Sequence, residues 1–379
     1  MSERTDDGAR PTQIASDTRT AGFGVRGVDT ERWRSLTRRG TLALARAFIR
    51  GEIEVDGDMV AAVRWWREHH PEPRGGLITL RAAIRLERWL QTQSRARRNI
   101  AFHYDRSNAF YQQFLDSRMV YSSAYFERPS MSLDEAQQAK LRLILRELDI
   151  QRGHRMLDIG CGWGALMLEA ASIAGTTVVG CTVSREQYAY VDNLIRERGL
   201  QHRVSVMFRD WREIRGEFDR IASIGMYEHV GRRRLGRYFR ALSRLLTPGG
   251  LLLNSGIARP ETTADDALTL FVQRAVFPGG ELPTLATVVR HAGRAGLTVR
   301  GLANLREHYG RTCAEWARRL QARRAPCLSM VSRETYRTWL LYLAGSAVSF
   351  ERGELDVHHL VLSRPAERRI QIDEQEVAA

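Results

Sequence analysis

Apolar and polar positions follow two rhythms along this chain, and their alternation predicts an α/β protein. Short apolar runs of strand length predict strands at 155–160, 177–183, 204–210, 218–226, 249–257, 297–305 and 355–365. Apolar residues at helical spacing predict helices between the first strands, at 164–174, 185–198 and 232–246. This order predicts right-handed β-α-β units, and therefore a mostly parallel sheet with helices on both faces.

The same pattern predicts how the rest of the chain is organised. Residues 1–28 are polar and are predicted to form a disordered tail. Residues 29–98 carry apolar stripes at helical spacing, which predict a small helical N-terminal domain. Residues 99–365 form the predicted main domain, with a helical insertion at 262–277, and residues 366–379 form a C-terminal tail.

Composition and the cysteine pattern indicate the class of protein and its cellular compartment. The 379 residues are 43% hydrophobic and 27% charged, which is typical of a soluble globular protein. No apolar run approaches the roughly 18 residues that span a bilayer, and the N-terminus has no apolar signal core. The four cysteines form no C-x-x-C pair, so no metal site is expected. We expect a cytoplasmic protein.

The net charge of +14 favours an anionic partner, although an arginine-rich solvated surface would give the same count. No RRM, KH or zinc-finger signature is present, so a nucleic-acid partner is not expected. The remaining candidate is peripheral contact with an anionic membrane. Arg233, Arg237, Arg240 and Arg244 recur at helical spacing and could share the face that makes this contact.

The stretch RMLDIGCGWG (155–164) carries the strongest local signal. It predicts a buried strand that ends in a glycine turn and opens a helix, so that backbone N–H groups face a ligand. A dinucleotide fingerprint would read G-x-G-x-x-G, but here the third glycine comes one residue early. The pattern of Asp158, Gly160, Gly162 and Gly164 resembles instead the cofactor loop of S-adenosylmethionine (SAM) methyltransferases.

A wider resemblance extends over most of the chain. The segments that carry it, in order, are HYDRSNAFYQQFLD (103–116), YSSAYF (121–126), LDEAQQAKL (133–141), LDIGCGWGA (157–165), VVGCTVSREQ (178–187), GMYEHVG (225–231), FPGGELP (277–283) and HYGRT (308–312). Together they resemble the cyclopropane-fatty-acyl-phospholipid synthases and the related mycolic acid cyclopropane synthases. The resemblance implies a class I SAM methyltransferase fold, Rossmann-like with a seven-stranded, mostly parallel sheet. It also implies SAM as cofactor and an unsaturated acyl lipid or phospholipid as acceptor.

The resemblance also implies a set of cofactor-binding residues. They are Tyr121, Ser122, Asp158, Gly160, Gly162, Gly164, Thr182, Val183, Gln187, Trp211 and Arg212. The tyrosine–serine pair precedes the sheet, and the glycine turn lies under the methionine end of SAM. Gln187 stands on the ribose side, with an amide where many methyltransferases have a carboxylate. Trp211 stands where the adenine pocket forms.

In the family, a cis double bond attacks the SAM methyl group, and the resulting cation loses a proton as the three-membered ring closes. A bicarbonate ion is the base, held by a cysteine, a glutamate, a histidine, a tyrosine and a main-chain group. The resemblance assigns the glutamate to Glu228 and the tyrosine to Tyr309, but Ser123 replaces the cysteine and Asn254 the histidine. Serine and asparagine can still hydrogen-bond a bicarbonate oxygen but carry no imidazole charge. The anion site is therefore either rebuilt with neutral donors or lost.

Several functions stay open from the sequence. The methyl transfer could end in a cyclopropane, in a methylene- or methyl-branched chain, or on an olefin that is not a lipid. A lipid- or SAM-binding protein without catalysis is the alternative outside the enzymes. The intact glycine loop, Gln187 and Glu228 favour an enzyme. The acceptor's identity and the oligomeric state are not specified.

Overall fold

The computed structural model describes residues 22–70, 107–173, 175–262, 276 and 281–366. The chain divides into two compact units. The first comprises Met1–Lys140, Ile257–Leu282 and Leu305–Val357. The second comprises Leu141–Gly256, Pro283–Asn304 and His358–Ala379. The predicted insertion at 262–277 lies outside the described residues except at positions 262 and 276, and the C-terminal tail lies outside them beyond residue 366.

The helices and strands of the described residues follow one another in a largely alternating order. In chain order they are β1 (Phe23–Arg26), α1 (Thr30–Arg38), α2 (Thr41–Arg50), β2 (Glu54–Gly57), α3 (Met59–His69), α4 (Asn108–Tyr111), α5 (Leu133–Glu147), β3 (Arg155–Ile159), α6 (Ala165–Ala171), β4 (Thr177–Thr182), α7 (Arg185–Glu197), β5 (Val204–Phe208), β6 (Phe218–Ile224), α8 (Tyr227–Val230), α9 (Leu235–Leu245), β7 (Leu246–Ala258), α10 (Leu285–Arg294), β8 (Thr298–Asn304), α11 (Arg306–Ala322), α12 (Arg324–Met330), α13 (Arg333–Glu351) and β9 (Asp356–Ser363). Short 3₁₀ turns at Trp211–Glu213 and Arg232–Arg234 precede β6 and α9.

The N-terminal region of the first unit differs from its prediction. Residues 23–26, assigned to the disordered tail, form β1, which pairs antiparallel with β2 inside the region predicted as helical. The physical reason is the alternation of Phe23 and Val25, both buried, with more exposed neighbours. The Arg337 guanidinium of α13 donates to the Phe48 carbonyl and pairs with Glu54, so this region is anchored to α13 within the unit.

The start of α5 is fixed by hydrogen bonds between Ser132 and Glu135. The Ser132 N–H donates to the Glu135 carboxylate at 2.8 Å, and the Glu135 N–H donates back to the Ser132 hydroxyl at 3.3 Å. These two bonds form a capping box, which satisfies donors that the first turn of a helix leaves unpaired.

The second unit is built on the predicted seven-stranded sheet. Its strand order is β5-β4-β3-β6-β7-β9-β8. Strands β3 to β7 pair parallel with their neighbours, and β8 pairs antiparallel with β9. All seven predicted strands are confirmed, with ends that shift by up to three residues. The predicted helix at 232–246 begins only at Leu235, after a 3₁₀ turn.

Apolar side chains of this sheet form two buried clusters. One contains Leu157, Ile221 and Leu252 with residues of α9 and α10, and the other contains Met156, Ala222 and Leu253 with residues of α6 and α7. Because neighbouring residues of each strand belong to different clusters, both faces of the sheet are covered, as expected for a parallel sheet. Among the described residues no helix is long and apolar enough to cross a membrane.

Candidate functional site

The three glycines of the turn after β3 differ in what surrounds them. Gly160, Gly162 and Gly164 have φ values of 74°, 55° and 83°, a backbone region that favours glycine. A Cβ on Gly160 would lie 2.6 Å from the Met226 sulfur, and one on Gly164 would lie 3.1 Å from Val191. A Cβ on Gly162 would have no neighbour within 4 Å. The surroundings therefore explain two of the glycines, whereas Gly162 borders a space that a ligand can fill.

Asp158 is buried in β3, two residues before the turn. Burial, with a smaller contribution from the Asp158 charge, raises the pKa of the Cys181 thiol to about 12 and that of Cys161 well above its usual range. Both thiols therefore stay protonated at neutral pH and are poor nucleophiles or metal ligands. In the described part of the chain no group of His, Cys, Asp and Glu side chains could hold a metal ion.

Thr182 and Gln187 are joined by a side-chain hydrogen bond after β4. The Thr182 hydroxyl donates to the Gln187 Oε1 at 2.8 Å, and both residues are buried. Ser184 caps α7 through the Gln187 N–H, which holds the start of that helix. Because the Gln187 Oε1 already accepts a hydrogen bond from Thr182, the amide nitrogen is the group that can donate to a ligand. Val183, between them, is half-buried.

Trp211 and Arg212 occupy the turn after β5. Trp211 is buried, and its ring meets Tyr238 edge to face with centroids 5.2 Å apart. The Arg212 guanidinium donates to the buried Asp210 carboxylate through Nε at 2.6 Å and lies 5.3 Å from the Trp211 ring centroid. The Asp210–Arg212 pair thus holds the turn, and the indole contacts both Tyr238 and the Arg212 guanidinium.

Glu228 lies in α8, directly after the carboxyl end of β6. It is buried, with 8% of its surface exposed. Burial, and then the Glu228 charge, raise the pKa of the Tyr227 hydroxyl well above its usual range. Gly225 precedes the helix with a φ of 66°, and a Cβ there would have no neighbour within 4 Å. A buried carboxylate therefore follows, three residues along the chain, a second glycine that borders open space.

Asn254 belongs to a buried polar network with Ser223 and Tyr238. Its Nδ2 donates to the Tyr238 hydroxyl at 3.0 Å, and that hydroxyl lies 2.6 Å from the Ser223 Oγ. Ser223 and Asn254 are partners in the β6–β7 register, and all three residues are 1% exposed or less. Nearby, a Cβ on Gly256 would lie 2.5 Å from the Tyr227 ring, so this ring covers the main chain at that position.

In the first unit, side chains of α5 donate hydrogen bonds to the segment that contains Tyr121 and Ser122. The Gln137 side chain donates to the Ser122 carbonyl at 2.9 Å, and the buried Lys140 ammonium donates to the Ser122 hydroxyl at 3.1 Å. The Tyr121 ring packs against Trp316 with centroids 5.1 Å apart. Gln137 and Lys140 were not predicted as site residues, although both lie in the segment LDEAQQAKL that carries part of the resemblance.

Ser123 and Tyr309 also lie in the first unit, next to contacts with α11. The Ala124 N–H donates to the Thr312 hydroxyl at 3.0 Å, which joins the segment after Ser123 to the helix that carries Tyr309. The Ser123 hydroxyl donates to the Ala124 carbonyl at 3.0 Å, and Ser123 is buried. The Tyr309 ring packs against Phe350 with centroids 4.7 Å apart.

The second unit brings most of the expected site residues to one edge of its sheet. Residues that follow the carboxyl ends of the parallel strands are Gly160, Gly162, Gly164, Thr182, Val183, Gln187, Trp211, Arg212 and Glu228, with Asn254 in β7 beside the end of β6. This edge is where open parallel sheets bind ligands. A nucleoside cofactor such as SAM fits this edge, which presents bare main chain at Gly162 and Gly225, the Gln187 amide and the Trp211 indole. Tyr121, Ser122, Ser123 and Tyr309 belong to the first unit.

Known proteins resemble this chain over most of its length. Residues 91–360 match the family model of the mycolic acid cyclopropane synthetases. A probable fatty acid methyltransferase from Pseudomonas putida is 36% identical over 87% of this chain and 84% of its own. Cyclopropane mycolic acid synthase MmaA2 from Mycobacterium tuberculosis is 36% identical over 70% of this chain and 96% of its own.

Solved structures agree with the sequence matches. The structure of MmaA2 superposes with a TM-score of 0.69 at 35% identity, over 72% of this chain and 99% of that one. Mycolic acid cyclopropane synthase CmaA1, in complex with SAH and CTAB, gives a TM-score of 0.68 at 34% identity, over 73% and 99%. Together with the fold and the glycine edge, these matches show that the chain belongs to the mycolic acid cyclopropane synthetase family of SAM-dependent methyltransferases.

Proposed function

We propose that this enzyme transfers a methyl group from SAM to the double bond of an unsaturated acyl chain in a lipid. The observation that carries the proposal is the edge of the second unit's sheet, where the Cβ positions of Gly162 and Gly225 meet open space and the carboxylate of Glu228, three residues after Gly225, is buried. Similarity to cyclopropane mycolic acid synthases and to a probable fatty acid methyltransferase supports the acyl acceptor. When bound, SAM supplies an electrophilic methyl group.

The cofactor residues have distinct tasks in this proposal. The loop N–H groups around Gly162 bind the methionine end. In the first unit, the Ser122 hydroxyl, held by Lys140, stays a predicted cofactor-binding group. The Gln187 amide nitrogen donates to a ribose hydroxyl, because the amide oxygen already accepts a hydrogen bond from Thr182. Trp211 packs against the adenine. Glu228 acts on the acceptor, where a cation develops and must be stabilised and deprotonated. For Tyr309, in the first unit, a role toward the acceptor stays a prediction from the resemblance.

We propose further that bicarbonate binds weakly, because the neutral donors expected at the anion site are already engaged. The single O–H of Ser123 donates to the Ala124 carbonyl, and one N–H of Asn254 donates to Tyr238. An anion in a dry pocket needs charge-assisted donors, and without them its burial costs several kcal/mol. Ring closure is then less favoured against other endings of the same methyl transfer.

The test of the function is methyl transfer from labelled SAM to a panel of unsaturated phospholipids and free fatty acids. We expect a product heavier by one CH₂ group on the unsaturated chains and no product on saturated chains of equal length. A surviving double bond in the product indicates methylation without ring closure. No labelled lipid from any member of the panel would contradict the proposed function.

Bicarbonate dependence and product ratio test the altered anion site. Wild-type turnover should change little between bicarbonate-depleted and bicarbonate-supplemented buffer. Ser123→Cys/Asn254→His should gain dependence on bicarbonate and produce a larger share of cyclopropane, because it restores the family's two side chains. Each single variant is a matched control, and a wild type that needs bicarbonate and makes only cyclopropane would contradict the expectation.

A basic face on the second unit supports peripheral contact with an anionic membrane. Arg233, in the 3₁₀ turn, and Arg237, Arg240 and Arg244, in α9, are all exposed. None of the four forms an ion pair within the described part of the chain. Partial burial, followed by charges that include Arg240, lowers the pKa of His291 on the adjacent α10, as expected where like charges crowd.

Replacing these four arginines with glutamine should weaken binding to anionic vesicles by on the order of 100-fold or more, since each basic residue near such a surface contributes about 1 kcal/mol. Vesicle co-sedimentation at low and high salt measures the effect, and salt should reduce wild-type binding. The control replaces four other exposed arginines, Arg142, Arg146, Arg152 and Arg198, so that the net charge is equal. Equal binding by both variants would remove this face as the contact.

A further inference from the structure

The side-chain amide of Asn254 has one engaged end and one open end. Its Nδ2 donates to Tyr238, whereas its Oδ1 is fully buried and has no hydrogen-bond partner within the described residues. Buried carbonyl oxygens in folded proteins nearly always accept a hydrogen bond, because leaving one unpaired costs free energy. An open acceptor in the interior, at the edge of the sheet where ligands bind, therefore points to a bound donor.

The orientation of this amide follows from the network behind it. Ser223 and Asn254 stand side by side on neighbouring strands, and both reach the hydroxyl of Tyr238 from α9. That hydroxyl carries one proton and can donate it to Ser223 at 2.6 Å while it accepts from Asn254. With the hydroxyl acting as acceptor, the amide nitrogen is held toward α9 and the carbonyl oxygen toward the opposite side.

The charges around the network disfavour an anion at the open end. A carbonyl oxygen repels the oxygen of an anion, and the Glu228 carboxylate stands close enough to contribute, after burial, to the raised pKa of Tyr238. The Tyr227 ring covers the main chain at Gly256, two residues beyond Asn254. A neutral O–H group, which donates a hydrogen bond and brings no charge, fits these surroundings.

We propose that Tyr238 is a positioning residue that holds Asn254 with its carbonyl oxygen open, and that this oxygen binds a water molecule in place of an anion. The inference rests on the proposed function for its place in the acceptor site, but the binding preference belongs to the protein without substrate. Removal of the Tyr238 hydroxyl frees the amide to turn, so that its N–H groups can donate to an anion.

Calorimetric titration of bicarbonate into the SAM-free protein tests the proposal without any catalytic step. The wild type should show no measurable binding, and Tyr238→Phe, which keeps the ring and its packing, should bind bicarbonate at least about tenfold more tightly. Tyr336→Phe is the matched control, because it removes a buried tyrosine hydroxyl from α13, outside the network, and it should behave as the wild type. Thermal unfolding verifies that all three proteins are folded.

Three results would overturn the proposal. If Tyr238→Phe binds bicarbonate no better than the wild type, the hydroxyl does not set the preference. If the wild type binds bicarbonate and Tyr238→Phe loses that binding, the amide presents its N–H groups and the assignment is reversed. Tyr238→Phe/Asn254→Leu, which has neither amide group, should lose the bicarbonate binding that Tyr238→Phe gains, and a double variant that keeps this binding would place the anion away from Asn254. Absence of methyl transfer in the separate lipid assay would contradict the proposed function. The bicarbonate titrations could still be interpreted, because they involve no catalytic step.

Discussion

Replacement of Gly162 with valine is expected to abolish SAM binding while the protein remains folded. The glycine has a φ of 55°, and the Cβ position above it has no protein atom within 4 Å, so the new side chain would fill space that we assign to the cofactor. A loss of at least about 100-fold in affinity, equivalent to about 2.7 kcal/mol, is the expected size. Isothermal calorimetry with SAM measures it, and circular dichroism verifies the fold.

Gly199 supplies the matched control for this experiment. Its φ of 64° is close to that of Gly162, its Cβ position is equally open, and it follows the far end of α7. Gly199→Val therefore introduces a similar backbone strain without a side chain at the glycine turn. It should bind SAM as the wild type does. If Gly162→Val retains wild-type affinity, the assignment of the cofactor to this turn is wrong.

The sheet could be predicted from the sequence because its signals are local. Each inner strand is a short apolar run, and each helix between strands has apolar residues on one side, so both elements can be identified from neighbours along the chain. The same holds for the capping box of Ser132 and Glu135. The strand β1 was missed because four residues beside a polar segment give a weak signal, and its stability depends on pairing with β2, about thirty residues later.

The residue types at the candidate site could be predicted from the sequence, but their hydrogen-bond partners could not. The resemblance identified Asn254 as a substitution in the anion site, yet the direction of its amide depends on Tyr238 and Ser223, which meet it only in the folded sheet. Similarly, Ser123 was expected as a donor, but its hydroxyl donates to the adjacent carbonyl. Hydrogen-bond partners distant in sequence set what a polar side chain can still offer to a ligand.

Replacement of Glu228 with glutamine is expected to reduce turnover by on the order of 100-fold or more, as for the loss of a positioned acid–base group. Glutamine has nearly the same shape, so it should keep the packing of this buried side chain while it removes the charge. The affinity for SAM should stay within a few-fold of wild type, because the cofactor residues after β3, β4 and β5 are unchanged. The measurement is kcat with a saturating unsaturated lipid, together with calorimetry for SAM.

The charge of Glu228 has a purpose in the proposed reaction that a structural role would not require. As the methyl group is transferred, positive charge develops on the acyl chain, and a fixed carboxylate in a dry site stabilises it more strongly than water would. The control is Glu197→Gln at the exposed end of α7, which removes an equal charge and should leave turnover unchanged. Wild-type turnover in Glu228→Gln would assign this glutamate to folding alone. A large fall in kcat with intact SAM binding would instead place its carboxylate beside the reacting chain.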